Sequence, residues 1–305
     1  MGNGDETPLG AKDLQSYPDI LLVWGPTDAL TGAADLYVAP AGGTAVRSLR
    51  RWPRRPDRGL SRPYGAFDAI WSPNRDSIAV ELGVWAESDP RSRIALIDPL
   101  GRDLQIITPG DDVYLYGWSG DGVSVIAREA GFVGRFRALP VAGGPAIPLR
   151  IAGSRHLGVV DWSPDGTRIA AYVGQGIVTM NADGSDVTRV TRDGVSPHWS
   201  PDGRWILFTR RTYDEETDEE TASNVFKIRA NGQEERQLTT DGSSEALDWS
   251  PDGRFVLFRR CCEAAEAKPR TEGRTLWVMD AEGKRQTRLH FNKEGWDVLS
   301  ADWGR

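Results

Sequence analysis

The chain of 305 residues carries a formal net charge of -7 at pH 7, and its isoelectric point is near 5.2. This acidic balance gives no general electrostatic reason to bind nucleic acid or an anionic membrane surface. No apolar stretch approaches the roughly 20 residues that a membrane-spanning helix needs, and residues 1–19 lack the basic and apolar regions of a signal peptide. We therefore expect no membrane span, and a location in the cytoplasm, or in the periplasm or outside the cell if a signal or anchor has been trimmed.

One folded domain, residues 19–305, is expected after a flexible segment or tether at residues 1–18. Residues 2–16 are aperiodic and contain Gly, Asp and Thr, as linkers do. The two cysteines, Cys261 and Cys262, are adjacent and would point to opposite faces of a strand, so we expect no disulfide between them. We expect the protein to be a monomer.

The first predicted strands are Ile20–Trp24, Leu36–Ala39 and Val46–Leu49, which are typical of the last three strands, B to D, of a four-stranded unit. The last predicted strand, Val298–Trp303, is typical of a first strand, A, and no strand follows it. The two ends of the chain are therefore expected to complete one sheet together. Such closure leaves no open edge in a ring of sheets.

Short apolar segments that close at a tryptophan recur along the chain between these ends. The tryptophans are Trp71, Trp118, Trp162, Trp199, Trp249 and Trp303. A spacing of roughly 40 to 50 residues predicts the blades of a propeller, because one small sheet cannot bury both faces until a neighbour stacks on it. The predicted fold is all-β: a six-bladed β-propeller of four-stranded antiparallel blades, with the tryptophans packed between blades.

Three of these tryptophans run into the same turn, Ser-Pro-Asp-Gly. Proline presets the first corner, and glycine accepts the left-handed conformation that returns the chain into strand B. In the unit of Trp71, Arg75 stands in place of the glycine, at a cost of about 1 kcal/mol if the geometry is kept. In the unit of Trp118, Gly120 replaces the proline. Slightly different corners are expected in these two blades.

A repeated motif, Trp-Ser-Pro-Asp-Gly, occurs at 162–166, 199–203 and 249–253, and the segments Val178–Ser185 and Val190–Thr191 follow its first copy. Together they resemble the propeller repeat of TolB-type proteins. The resemblance covers nearly the whole chain after residue 19. It implies the propeller fold. It does not imply one function, because it extends to periplasmic scaffolds, to propeller domains of prolyl-oligopeptidase-like proteases and to some carbohydrate lyases.

Common catalytic motifs are missing from the sequence. There is no Gly-x-Ser-x-Gly elbow, no phosphate-binding glycine loop before a helix and no His-Glu-x-x-His helix. The three histidines, His156, His198 and His290, are scattered and offer little material for acid–base catalysis or a histidine-rich metal centre. We therefore expect a non-catalytic protein that needs no cofactor.

One set of polar residues occupies a repeated position. The residue before the strand A tryptophan is Asp161, His198, Asp248 and Asp302 in four successive repeats, so these side chains are expected at equivalent places near the central channel. Two interpretations stay open. The three carboxylates could bind a divalent cation or the amine of a peptide, or each could accept a hydrogen bond from the backbone of its own or the adjacent blade.

The long predicted loops share one face of the propeller, because the B-to-C loops and the D-to-A connections emerge together. Two of these loops carry opposite charge, and a charge-segregated rim can orient a protein or peptide partner. The candidates for this partner face are Arg51, Trp52, Arg54 and Arg55 in the basic loop, and Asp214, Glu215, Glu216 and Glu219 in the acidic loop.

The sequence therefore favours a non-catalytic scaffold that binds a protein or peptide at the long-loop face, over the mouth of the channel. The alternative is a metal-assisted carbohydrate lyase that acts on uronides through the channel Asp and His residues. Single-stranded nucleic acid is disfavoured, because the acidic loop lies on the same side as the arginines and the tryptophan.

Overall fold

The structure is a computed structural model, and it describes residues 7–26, 34–43, 45–52, 64–84, 92–108, 112–129, 135–149, 157–174, 176–214, 216–261, 274–291 and 296–304. Within these residues, 24 strands form six four-stranded antiparallel sheets, and one short helix, α1 (Ala11–Leu14), precedes them. Each sheet is one blade, so the predicted six-bladed propeller is confirmed. The same residues include no helix that is long and apolar enough to cross a membrane.

The blades are numbered I to VI around the ring, and their strands are given from the channel outward. Blade I consists of β24 (Trp296–Asp302), β1 (Ile20–Pro26), β2 (Asp35–Ala39) and β3 (Arg47–Arg50). Blade II consists of β4 (Tyr64–Trp71), β5 (Ile78–Val84), β6 (Ser92–Ile97) and β7 (Leu104–Ile106). Blade III consists of β8 (Val113–Trp118), β9 (Ser124–Glu129), β10 (Phe136–Pro140) and β11 (Ile147–Leu149).

The second half of the ring repeats the same order. Blade IV consists of β12 (Leu157–Trp162), β13 (Arg168–Val173), β14 (Gly176–Asn181) and β15 (Thr188–Thr191). Blade V consists of β16 (Val195–Trp199), β17 (Trp205–Tyr213), β18 (Glu220–Arg229) and β19 (Arg236–Gln237). Blade VI consists of β20 (Ser244–Trp249), β21 (Phe255–Arg260), β22 (Thr275–Asp280) and β23 (Thr287–Arg288).

Blade I is built from both ends of the chain. Strand β24 pairs antiparallel with β1, so that Leu21 lies opposite Asp302 and Leu22 lies opposite Ala301. The expected closure of the ring is therefore confirmed. It hides the inner edge of β1, which would otherwise present unpaired backbone groups.

The hydrophobic core lies between blades. Buried side chains of the described residues form six clusters, each shared by two neighbouring blades. Trp303, for example, packs with Phe255 and Leu257 of blade VI and is fully buried. The indole N–H of Trp249 also donates to the carbonyl of His198 in blade V at 3.2 Å. The strand A tryptophans thus join each blade to the one before it.

The turns between strands A and B share one hydrogen-bond pattern. In blade V the hydroxyl of Ser200 donates to Asp202 at 2.6 Å and accepts the N–H of Trp205 at 2.9 Å. Gly203 then has a φ of +69°, which a residue without a Cβ adopts freely. The corresponding Gly122 of blade III has a φ of +70°, so the different corner that we predicted for that blade is wrong.

Blade II keeps the same corner although Arg75 replaces the glycine. Arg75 has a φ of +58°, and its N–H donates to the Ser72 carbonyl at 2.8 Å. The different corner predicted for this blade is therefore also wrong. The guanidinium lies 4.5 Å from the centre of the Trp71 ring and donates to the carbonyls of Trp303 and Asp19. These contacts offset the strain of the left-handed backbone.

Residues 7–18 belong to the segment that the sequence assigns to a tether, and they lie against blade VI. Leu9 and Leu14 are buried. The Tyr17 ring packs edge-on against Phe255 with 5.3 Å between ring centres, and its hydroxyl donates to Asp252 at 2.6 Å. The flexible tether stays a prediction.

Candidate functional site

A cavity of about 780 Å³ lies on the propeller axis, between the inner strands. We call one end of it the turn end, because the A-to-B turns, with Pro73, Pro201 and Pro251, line it. The other end, the loop end, is lined by residues near the C-terminal end of strand B, such as Arg128 and Arg259. The two ends therefore present different residues to anything that enters the channel.

The predicted ring of channel residues lies at the turn end, because each member comes directly before the tryptophan that closes strand A. Its carboxylates accept the backbone N–H of the strand A tryptophan in a following blade. The bonds are Asp161 with Trp199 at 2.6 Å, Asp248 with Trp303 at 2.8 Å and Asp302 with Trp71 at 2.8 Å. This geometry matches the second interpretation of the ring, in which the carboxylates bond to backbone of the adjacent blade.

Two of these carboxyl groups interact directly. Burial raises the pKa of Asp302 well above its ordinary value, and the neighbouring Asp248 raises it further. Asp248 is only 4% exposed, and it also accepts the N–H of Trp249 at 2.7 Å. Asp302 therefore gives up its proton at a higher pH than an isolated aspartic acid would.

His198 also lines the cavity, on the same turn-end layer as the three carboxylates. Among the described residues, no three His, Cys, Asp or Glu side chains are arranged to hold a metal ion. A cation bound at Asp161, Asp248 and Asp302 stays a prediction.

A second layer of charged side chains lines the loop end, and the sequence analysis did not predict it. Glu245 stands between two arginines: its Oε2 is 2.5 Å from Arg259 Nη2, and its Oε1 is 3.3 Å from Arg211 Nη2. Burial works against its ionisation, but Arg259 and then Arg211 hold the pKa of Glu245 below its usual range. Arg211 Nη1 also lies 3.5 Å from Glu220 Oε2, so two arginines and two carboxylates alternate on this wall.

Two carboxyl groups of blade II lie deeper in the same layer. Burial raises the pKa of Glu81 to about 8, although its carboxyl accepts the Leu115 N–H at 2.8 Å. Burial also raises the pKa of Asp68, which lies opposite Glu81 in the β4–β5 ladder. Glu81 is therefore mostly protonated at neutral pH.

A regular position in the sequence marks part of this layer. The tenth residue after the strand A tryptophan is Glu81, Arg128, Thr209 and Arg259 in blades II, III, V and VI. Each lines the channel in the structure. The sequence shows this regular spacing, but the spacing predicts a channel residue only if it is known that this position of strand B points toward the channel.

The acidic candidates of the partner face lie on an ordered hairpin. Strands β17 and β18 continue to the pair Tyr213 and Glu220, so the acidic loop is a short tip between two paired strands. Asp214, Glu216 and Glu219 are exposed at its tip. Glu215 lies outside the described residues.

The basic candidates divide. Arg51 is exposed, whereas Trp52 is only 9% exposed and packs in the core between blades I and II. The backbone N–H of Trp52 donates to Asp35 Oδ1 at 3.0 Å. Arg54 and Arg55 lie outside the described residues, so their place on the partner face stays a prediction.

The geometry defines a closed, six-bladed propeller whose axial channel has charged side chains on its wall, and the chain has the fold of a TolB-type β-propeller. TolB from Acinetobacter baumannii superposes with a TM-score of 0.67 at 17% identity, over 93% of this chain and 66% of the TolB chain. A TolB candidate from Agrobacterium tumefaciens superposes with a TM-score of 0.59 at 19% identity, over 91% of both chains. This chain thus spans about two thirds of the Acinetobacter TolB.

A structure of another kind of protein shares the fold. Oligogalacturonate lyase in complex with manganese superposes with a TM-score of 0.53 at 15% identity, over 93% of this chain and 76% of the lyase. No protein-family model and no curated protein matches this sequence. At these identities the similarities establish the fold, and function has to be argued from the site.

Proposed function

We propose that this chain is a non-catalytic, TolB-like binding propeller that holds a protein or peptide partner at the loop end of its channel. The observation that carries the proposal is the wall of the loop end, where Arg211, Glu245 and Arg259 form ion pairs across blades V and VI beside a cavity of about 780 Å³. Alternating charges on a rigid wall suit the peptide groups and polar side chains of an extended segment.

The acidic hairpin supports the same face. Glu216 and Glu219 are exposed at the tip of the β17–β18 hairpin, which emerges at the loop end of blade V. A cluster of exposed charges beside a channel mouth steers an approaching partner and acts mainly on its association rate.

A capture experiment with matched charge changes tests the proposal. The immobilised full chain is incubated with a lysate of its source organism, and bound proteins are identified by mass spectrometry. The loop-face variant carries Glu216→Lys and Glu219→Lys. The control carries Asp103→Lys and Glu234→Lys, two exposed residues in C-to-D turns on the opposite face.

We expect a partner captured by the wild-type chain to be lost from the loop-face variant and kept by the control. Equal loss of the partner from both variants would show that binding does not depend on the loop face. Turnover of oligogalacturonate by the purified chain would replace the scaffold with the lyase alternative.

A further inference from the structure

Arg128 has unusual surroundings on the channel wall. It lies near the loop end of β9, partly buried, with its guanidinium carbon 5.2 Å from the ring centre of Tyr114 and 5.6 Å from that of Tyr116. All three side chains line the axial cavity. The stacking and a side-chain hydrogen bond with Tyr116 hold the guanidinium in place. The remaining N–H groups of the guanidinium can bond to a ligand.

The equivalent side chains in other blades have protein partners. Glu81 accepts the N–H of Leu115, and Thr209 accepts the N–H of Ala246 at 2.9 Å. Arg259 pairs with Glu245 and donates to the carbonyl of Leu299 in the next blade. Side chains at this position therefore join two blades in blades II, V and VI.

Arg128 does not follow that pattern. It forms no ion pair with a described carboxylate, and its buried Nε–H has no hydrogen-bond partner among the described residues. Glu81 is the carboxyl group whose charge would act on it, but burial raises the pKa of Glu81 to about 8. At neutral pH the positive charge of Arg128 is therefore largely uncompensated within the channel.

The chemistry of Arg128, Tyr114 and Tyr116 indicates which chemical group of a ligand they would bind. A planar guanidinium matches a carboxylate, which can accept two parallel N–H bonds. Burial raises the pKa of Tyr116, so its hydroxyl stays protonated and can donate a hydrogen bond. Arg211 pairs with Glu245 and Glu220, and Arg259 pairs with Glu245, so Arg128 is the arginine of the described channel wall that has no ion pair. One such cation suits a monoanion better than a phosphate dianion.

We propose that Arg128, Tyr114 and Tyr116 form a receptor for one carboxylate of a peptide that enters the channel, supplied by its C-terminus or by an acidic side chain. This inference rests on the proposed peptide-binding function and adds the chemistry of the group that the channel recognises. Arg128 is then a specificity-determining residue, because it binds the carboxylate directly.

Nuclear magnetic resonance on the full chain tests the receptor without knowledge of the partner. In a sample with ¹⁵N-labelled arginine, the buried Nε–H of Arg128 is identified by its disappearance in Arg128→Gln. N-acetylglycine is the probe for a C-terminal carboxylate, and N-acetylglutamic acid α-methylamide is the probe for an acidic side chain. N-acetylglycinamide is the neutral control, and galacturonate and inorganic phosphate are the competing anions.

At least one of the two carboxylate probes is expected to shift the Arg128 resonance saturably, with an affinity at least tenfold above that of the amide. Arg128→Lys keeps the charge but loses the two parallel N–H groups of the guanidinium, so the affinity should fall at least fivefold. Arg102→Gln is the control: it removes the same charge from an exposed arginine outside the channel, which pairs with Asp98, so the affinity should change less than twofold. Unchanged thermal melting verifies that each variant folds, and the wild-type titration stands even if one does not.

Three results would overturn the inference: no saturable shift with either carboxylate, equal binding of the amide, or tighter binding of galacturonate or phosphate. Failure of the receptor is distinguishable from failure of the proposed function. Partner capture that persists in Arg128→Gln, together with an absent shift, removes only the receptor.

Discussion

The turn end and the loop end of the channel both carry carboxylates, but they use them differently. At the turn end, Asp161, Asp248 and Asp302 accept backbone N–H groups of neighbouring blades. At the loop end, Glu245 bonds to arginine side chains, and Arg128 has no ion pair with a described residue. A carboxylate that satisfies a buried N–H cannot leave it without cost, so the turn-end carboxylates hold the ring together, as Glu81 does at the loop end. Arg128 makes no such bond to the next blade and is available to a ligand.

The comparison also shows that a repeated position need not repeat a role. The tenth residue after the strand A tryptophan bonds to the next blade in blades II, V and VI, through Glu81, Thr209 and Arg259. In blade III the same position, Arg128, stacks on tyrosines of its own blade. Once three other interfaces are secured, one blade can lose this contact and present the side chain to a ligand.

The largest expected effect is the pH dependence contributed by Glu81. Because burial raises its pKa to about 8 from an ordinary 4.5, its contribution to stability is present in full below pH 4.5 and is lost as the pH rises to 8. At about 1.36 kcal/mol per pKa unit, the loss approaches an upper bound of about 5 kcal/mol. Glu81→Gln keeps an acceptor for Leu115 and should abolish this slope in urea unfolding between pH 5 and 9.

An unchanged slope in Glu81→Gln would show that Glu81 ionises normally in the folded chain. The loop end would then hold a charged carboxylate near Arg128, and the contrast between the two ends would weaken.

A smaller loss is expected at the turn end from Asp248→Ala. This change leaves the N–H groups of Trp249 and Trp303 without their acceptor, and we expect the free energy of unfolding to fall by about 3 kcal/mol. Asp248→Asn keeps one acceptor oxygen and should lose less than half as much. Equal losses in the two variants would mean that the charge matters more than the hydrogen bonds.

The smallest effect is expected for Glu245→Gln at the loop end. Glu245 is partly exposed and its pKa is held below the usual value, so it stabilises the fold above pH 4.5 and loses that effect as the pH falls through its folded pKa. We expect a loss of about 1 kcal/mol at pH 7, and convergence with wild type once the pH has fallen below the folded pKa. The more exposed partner of Arg211, Glu220, is the control: Glu220→Gln should change stability less.

Much of the fold was predictable because each element has a local cause. The strand A tryptophans and the Ser-Pro-Asp-Gly turns predicted six blades, and the unpaired strand at each end of the chain predicted the closure of β24 onto β1. Arg75 was misread because its compensation is not local: the carbonyls that it bonds belong to Asp19 and Trp303, far away in sequence.

The site was only half predictable, for a reason that lies in strand A. Glu245 and Asp248 both line the channel although they are three residues apart, which strict alternation of a strand forbids. A β-bulge between Ala246 and Asp248 makes this arrangement. The position before the strand A tryptophan therefore predicted Asp248 as a channel residue but not Glu245. It could not predict channel residues of strand B such as Arg128.

The most direct test of the division between the two ends is photo-crosslinking from matched positions. Tyr213 at the loop end is 50% exposed, and Val123 in a turn at the opposite face is 59% exposed, so p-benzoylphenylalanine at either position meets solvent equally well. With the partner present, the Tyr213 variant should form a crosslinked complex and the Val123 variant should not. A complex formed equally from both positions, or from Val123 alone, would contradict the account.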